Sequence, residues 1–146
     1  MGLVVKLHFG VVEIPYDNSS DAVTTGDVAE WLEENYEVLE TFYQKEGVKI
    51  SNLLDESLAG HLENVLAGAP SSGDPFAEAC SEIHHMFVAF LTTMQMNGEP
   101  GVPTMRSLKG VSKRLKKKKG SPRPSFIDTG LYMAAMRAWV SEVKNA

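Results

Sequence analysis

Leu3, Val5, Leu7 and Phe9 are apolar at odd positions, with Lys6 and His8 between them. After Gly10 the apolar set moves to even positions, at Val12, Ile14 and Tyr16. A period of two predicts strand. The change of phase at Gly10-Val11 predicts either a β-bulge within one strand or a tight bend between two. A lone strand or hairpin is marginal in water. This segment is therefore expected to pack on helices or to add to a sheet in a neighbouring subunit. Residues 17–21 read as a polar loop.

Beyond that loop the period lengthens to three or four. Thr24 with Asp27 forms a variant of the capping box. Val28, Trp31, Leu32, Tyr36, Leu39 and Tyr43 then make one apolar stripe of a first helix. Gly47 is its expected end. Glu30, Glu33, Glu34, Glu37 and Glu40 leave the opposite face acidic, which reads as a solvated face. A second helix is predicted from about Ser51, with Leu54, Leu58, Leu62, Val65 and Leu66 in line and Gly68 and Pro70 as its stop. Asp74 followed by Pro75 is a start signal for a third. Its inward face is Phe76, Cys80, Ile83, Phe87, Phe90, Leu91 and Met94, and Asn97-Gly98 closes it. Glu99–Pro103 is loop. Thr104 can cap a short helix with Met105, Leu108, Val111 and Leu115 inward. Gly130 and its neighbours Asp128 and Thr129 open a final helix, with Leu131, Ala135, Ala138 and Glu142 on one line and Tyr132, Met136, Trp139 and Val143 on the next.

The predicted class is mainly α with a short N-terminal β strand or hairpin (α+β), a compact helical core plus an exposed basic arm. One domain spans 1–146: a β segment at 1–16, a three-helix core at 24–97, a short helix and basic arm at 104–124, and a C-terminal helix at 128–144. A chain of 146 residues with 43% apolar content is long enough for one real core. No apolar run approaches the ~20 residues needed to cross a bilayer, so no membrane role is expected. Lys6 and His8 interrupt the N-terminal apolar residues, and no signal peptide is expected there. The single cysteine, Cys80, excludes an intrachain disulfide framework and fits a reducing interior.

Charge changes this picture more than composition does. Residues 1–105 hold three Lys/Arg against seventeen Asp/Glu, a balance of −14. Residues 106–123 hold nine basic residues and no acid: Arg106, Lys109, Lys113, Arg114, Lys116, Lys117, Lys118, Lys119 and Arg123. The net −5 of the whole chain conceals this segregation. A molecule so divided is expected to meet something charged, another copy of itself included. The stretch 116–123 cannot bury a core and contains Gly120 and Pro122, so it is predicted to be an exposed, mobile arm. It could grip phosphate in a sequence-independent, salt-sensitive way. It carries no aromatic platform for single strands, and no helix presents a base-reading pattern. An acidic protein surface is the other partner this charge suits.

Little in the sequence points to catalysis. Cys80 and His84 are four apart and share a helical face, but no third ligand or orienting carboxylate is evident, so neither a metal site nor a nucleophile is expected. His84 and His85 are adjacent, and side chains ~100° apart on a helix chelate one ion poorly. No glycine-rich phosphate loop and no carboxylate dyad appears. The expectation is no enzyme, no metal and no cofactor.

The segment from Arg123 through Pro124, Ser125, Phe126, Ile127, Asp128, Thr129, Gly130 and Leu131 to Tyr132 resembles a signature of tailed-bacteriophage neck and tail-completion proteins. That signature is Leu or Ile, any residue, Thr-Gly, any residue, Leu, then a small-residue helix. Ile127, Thr129 and Gly130 match it, Tyr132 stands at its last Leu, and Ala134 and Ala135 follow. The acidic first helix, the Pro75-Phe76-Ala77 helix start and the basic stretch before the motif extend the likeness to small virion proteins. The resemblance implies a structural subunit of a ring at the head–tail junction, a homo-oligomer located in the virion and, during assembly, in the host cytoplasm. Its arm would contact a neighbouring subunit or other head and tail proteins, with non-specific contact with packaged DNA as a further expectation. The alternative reading is a small DNA-binding accessory protein that grips the phosphate backbone through the same arm. The motif also has a local reading, in which Asp128 or Thr129 satisfies free amides at a helix start and Gly130 lets the backbone turn.

Overall fold

A computed structural model describes residues 5–17, 22–68, 73–109, 124–127 and 130–142. In chain order the elements are β1 (Val5–Val11), α1 (Thr25–Tyr36), α2 (Val38–Leu66), α3 (Ala77–Thr92), α4 (Met105–Lys109), α5 (Leu131–Ala135) and β2 (Met136–Glu142). The chain is mainly helical with one two-stranded antiparallel sheet, an α+β class.

The capping box at Thr24 forms as the sequence implies. The Asp27 amide donates to Thr24 Oγ1 at 3.2 Å, and the Thr24 amide donates to Asp27 Oδ2 at 3.0 Å. The first helix stops earlier than predicted, at Tyr36, because Glu37 turns into the left-handed region at φ 50°. A second helix starts at once and runs through Gly47 to Leu66. Two interactions explain the shifted boundary. The Glu33 carboxylate accepts from the Leu39 amide, satisfying a free donor of the new helix start. The bend also turns Val38 and Phe42 wholly into the core, against Phe87 and Phe90. That burial outweighs the ~1 kcal/mol that Gly47 costs inside a helix.

The third helix begins at Ala77 rather than at Pro75. Asp74 caps the turn before it, its carboxylate accepting from the Phe76 amide at 2.9 Å. It ends at Thr92, short of Asn97-Gly98, and Met94 lies outside at φ 59°. Ile83, Phe87, Phe90 and Leu91 form the centre of the core, as the periodicity indicated. The far end of α2 does not share in it, for Leu62, Val65 and Leu66 of its predicted stripe are exposed.

The C-terminal helix expected over 128–144 is replaced. Only Leu131–Ala135 is helical, and Met136–Glu142 is a strand paired with β1 from Val5↔Glu142 to Val11↔Met136. The strand has its own period of two: Met136 is buried and Ala138 packs on the core, while Arg137, Trp139 and Ser141 face outward. Both periods are present in these seven residues, and the unpaired edge of β1 decides between them. Three side-chain contacts hold the switch from helix to strand. The Arg137 guanidinium donates to the carbonyls of Ala134 (2.8 Å) and Met136 (2.7 Å), and His84 Nδ1 on α3 meets the same Met136 carbonyl at 2.7 Å.

The register is unbroken across Gly10, so neither the bulge nor the bend forms there. The reason for glycine is the Trp139 ring, which lies where a Cβ would stand, 3.0 Å away. Leu7, Phe9 and Val11 face the core and Val12 is exposed, so the change of phase marks the end of the strand.

Candidate assembly site

Of the predicted basic residues, Arg106 and Lys109 belong to α4, and Lys109 is exposed. Lys113, Arg114, Lys116, Lys117, Lys118, Lys119 and Arg123 lie outside the described residues, as do Asp128 and Thr129. Gly130 is the cap of α5, at φ 78°, and its carbonyl accepts from the Ala134 amide at 3.0 Å.

What the structure adds is the anchorage of the two ends of the basic stretch. Thr104 caps α4 as expected, its Oγ1 accepting from the Ser107 amide at 3.2 Å. Among the described side chains of this helix Ser107 faces inward, while Met105 and Leu108 are exposed. Its hydroxyl donates to the Thr104 carbonyl at 2.8 Å and lies 2.9 Å from the hydroxyl of Ser125. Ser125 Oγ in turn accepts from the Thr104 amide at 3.1 Å. One assignment satisfies every group: Ser107 donates to the carbonyl, Ser125 donates to Ser107, and Thr104 donates to Ser125. Ser107 is 1% exposed and Ser125 5%, so the clasp is dry. It binds the chain before the basic stretch to the chain after it. Two serines in a polar neighbourhood give no periodic signal, which is why sequence reasoning missed them.

Beside this clasp is a cleft of about 790 Å³. Trp31 and Tyr36 of α1, Met105, Phe126, Asp27 and Tyr132 are among the residues that line it. Trp31 and Tyr36 meet at 5.8 Å with their planes 64° apart, and Tyr36 and Phe126 at 4.9 Å and 59°. Trp31 was expected to face the core, yet it is 54% exposed. Gly101 passes so close to the Tyr36 ring that a Cβ there would stand 3.1 Å from it. Among the described residues the buried Tyr132 hydroxyl has no hydrogen-bond partner. Burial first, then the nearby Glu33 and Tyr16, push its pKa well above the ordinary value of 10.0.

The acidic face is present on α1 and at its junction with α2, where Glu30, Glu34, Glu37 and Glu40 are exposed. Glu33 turns back to cap α2. Cys80 and His84 line a smaller cleft of about 440 Å³ with Asp74 and Arg137. Burial, and then the Asp74 carboxylate, raise the pKa of the Cys80 thiol, which keeps it in its unreactive protonated form. His84 is engaged with the Met136 carbonyl. Among the described residues no group of three or more His, Cys, Asp or Glu side chains is placed to hold a metal ion. Among the same residues no helix is long and apolar enough to cross a membrane. Comparison with protein-family models, with curated proteins and with solved structures finds no match for the chain.

Proposed function

We propose that this protein is a structural virion subunit of a ring at the head–tail junction of a tailed bacteriophage, joined to its neighbours by the basic stretch Arg106–Arg123 and performing no catalysis. The observation that carries this reading is the clasp of Thr104, Ser107 and Ser125, which fastens both ends of the basic stretch to an acidic body. The two ends of a stretch that carries nine basic residues are thereby held together on a subunit whose residues 1–105 are −14. A copy that is acidic over its body and basic at one point suits head-to-tail contact with the next copy, and repetition around a closed ring multiplies a weak contact. An exposed ion pair contributes only ~0.2–1 kcal/mol, so the contact depends on number rather than on any one pair. The resemblance of the segment around Ile127, Thr129 and Gly130 to neck and tail-completion proteins supports the same reading.

Analytical ultracentrifugation of the native chain, with and without duplex DNA, tests it. The expected result is a multimer of defined size without nucleic acid, reduced to smaller species at high salt and by replacing Lys116–Lys119 with serine. The melting temperature of that variant should hardly move, since exposed substitutions rarely exceed ~0.5 kcal/mol. A monomer that changes size only on adding DNA, with steep salt dependence, would replace this reading by the phosphate-gripping accessory protein.

A further inference from the structure

We propose that the cleft between α1 and the two ends of the basic stretch receives a Lys or Arg side chain from the basic stretch of a neighbouring copy, so that each subunit carries both halves of the ring contact. This inference rests on the ring reading and supplies the surface that the reading lacks.

Three observations converge on a cation as the occupant. The first is the set of aromatic walls. Trp31, Tyr36 and Phe126 follow one another at 5.8 Å and 4.9 Å, with successive planes inclined by 64° and 59°. Rings so inclined do not stack flat on one another. They bound a pocket that an aliphatic stem with a cationic head fits, the head lying over a ring face. The second is charge. Asp27 lines the cleft, and Glu30 and Glu34 stand exposed on the same helix. Among the described residues that line it there is no Lys or Arg. The third is position. Met105 and Phe126, which also line the cleft, lie just before and just after the basic stretch in the sequence. The donor stretch and the acceptor cleft are thus two different surfaces that lie side by side, and a head-to-tail contact pairs the one with the other in the next copy. An apolar segment would leave Asp27 facing hydrocarbon, and an anionic one would meet the acidic face of α1.

The test uses the full-length chain with Lys116–Lys119 replaced by serine, which removes four of the nine basic residues that would compete for the cleft, and a fluorescently labelled synthetic peptide of residues 113–124. Fluorescence anisotropy should show saturable binding. Trp31→Ala in the same chain should weaken binding by about tenfold, Trp31→Phe should keep most of it, and a peptide with each Lys and Arg replaced by Gln should not bind. Trp31 is half exposed, so circular dichroism of both variants should match the parent; the melting temperature should hold for Trp31→Phe and fall slightly for Trp31→Ala, which loses the Tyr36 contact. In the otherwise native chain, Trp31→Ala should shift the multimer to smaller species. Peptide binding and multimers unaffected by Trp31→Ala would overturn the cleft assignment while the ring reading stands. Equal binding of the Gln peptide would overturn it too, because the occupant would then not be a cation. A native chain that stays monomeric at every salt concentration would remove the ring reading and this inference with it.

Discussion

Ser107 and Ser125, eighteen positions apart, place their hydroxyl oxygens 2.9 Å from each other in the dry interior. Lys113 to Arg123 lie between them in the sequence, so this contact joins the two ends of the stretch on which the functional reading depends. Removing either hydroxyl leaves buried partners unsatisfied, which costs about 1–3 kcal/mol. Ser125→Ala should be the worse of the two, because it leaves the Thr104 amide without its acceptor, whereas the Thr104 carbonyl released by Ser107→Ala still accepts from the Leu108 amide. A double-mutant cycle with Ser107→Ala, followed by urea unfolding, should return a coupling of about 0.5–3 kcal/mol. Additive losses would mean that the two hydroxyls do not act together.

Tyr132 presents the opposite case, a buried hydroxyl with no partner among the described residues. Tyr132→Phe removes the desolvation penalty and keeps the ring that packs against Phe87 at 6.0 Å. Stability near neutral pH should therefore rise, by up to about 1–3 kcal/mol. The alkaline behaviour follows from the raised pKa. Above pH 10 the unfolded chain loses the phenol proton while the folded chain keeps it. The folded state then binds more protons, so stability is full below pH 10 and falls as pH rises beyond it. Urea midpoints measured on both sides of pH 10 should fall less for Tyr132→Phe than for the parent. An equal fall would show that this phenol is not held neutral by the fold.

Gly47 distinguishes the two accounts of the long second helix. A Cβ added there meets nothing within 4 Å, and the residue lies inside α2. Gly47→Ala should stabilise the protein by about 0.5–1 kcal/mol, through helix propensity and a less free unfolded chain. Had the first helix ended at Gly47 in a left-handed cap, alanine would destabilise instead. The midpoint of thermal unfolding gives the sign directly.

His8 and Trp139 are opposite each other in the ladder, their rings stacked at 5.2 Å and 9°. His8 Nε2 also lies 2.7 Å from Ser141 Oγ. The double variant His8→Cys/Trp139→Cys, made with Cys80→Ala, should form an intrachain disulfide on mild oxidation, visible as faster migration on a non-reducing gel. A C-terminal helix would offer no such pairing, and a chain that remains fully reduced would speak against the register. Trp139→Ala alone should cost about 0.5–1.5 kcal/mol for the aromatic pair, beyond the loss of its buried area.

The elements that the sequence alone determined are those decided within a few residues of themselves. Thr24 and Asp27 start α1, Thr104 starts α4, and the spacing of Ile83, Phe87, Phe90 and Leu91 puts one face of α3 into the core, because caps and apolar stripes act locally. The division of charge between the acidic residues 1–105 and the basic stretch was equally plain. Tertiary structure decided wherever two local patterns competed or none existed. Met136–Glu142 fits both periods, and the open edge of β1 recruited it as a strand while Arg137 and His84 held the carbonyls at the switch. Glu37 carries no breaker signal, and the bend there follows from the burial of Val38 and Phe42 with Glu33 capping the new helix. The clasp of Ser107 with Ser125 and the cleft of Trp31, Tyr36 and Phe126 join residues far apart in the chain, and such contacts leave no mark on the spacing of any one segment.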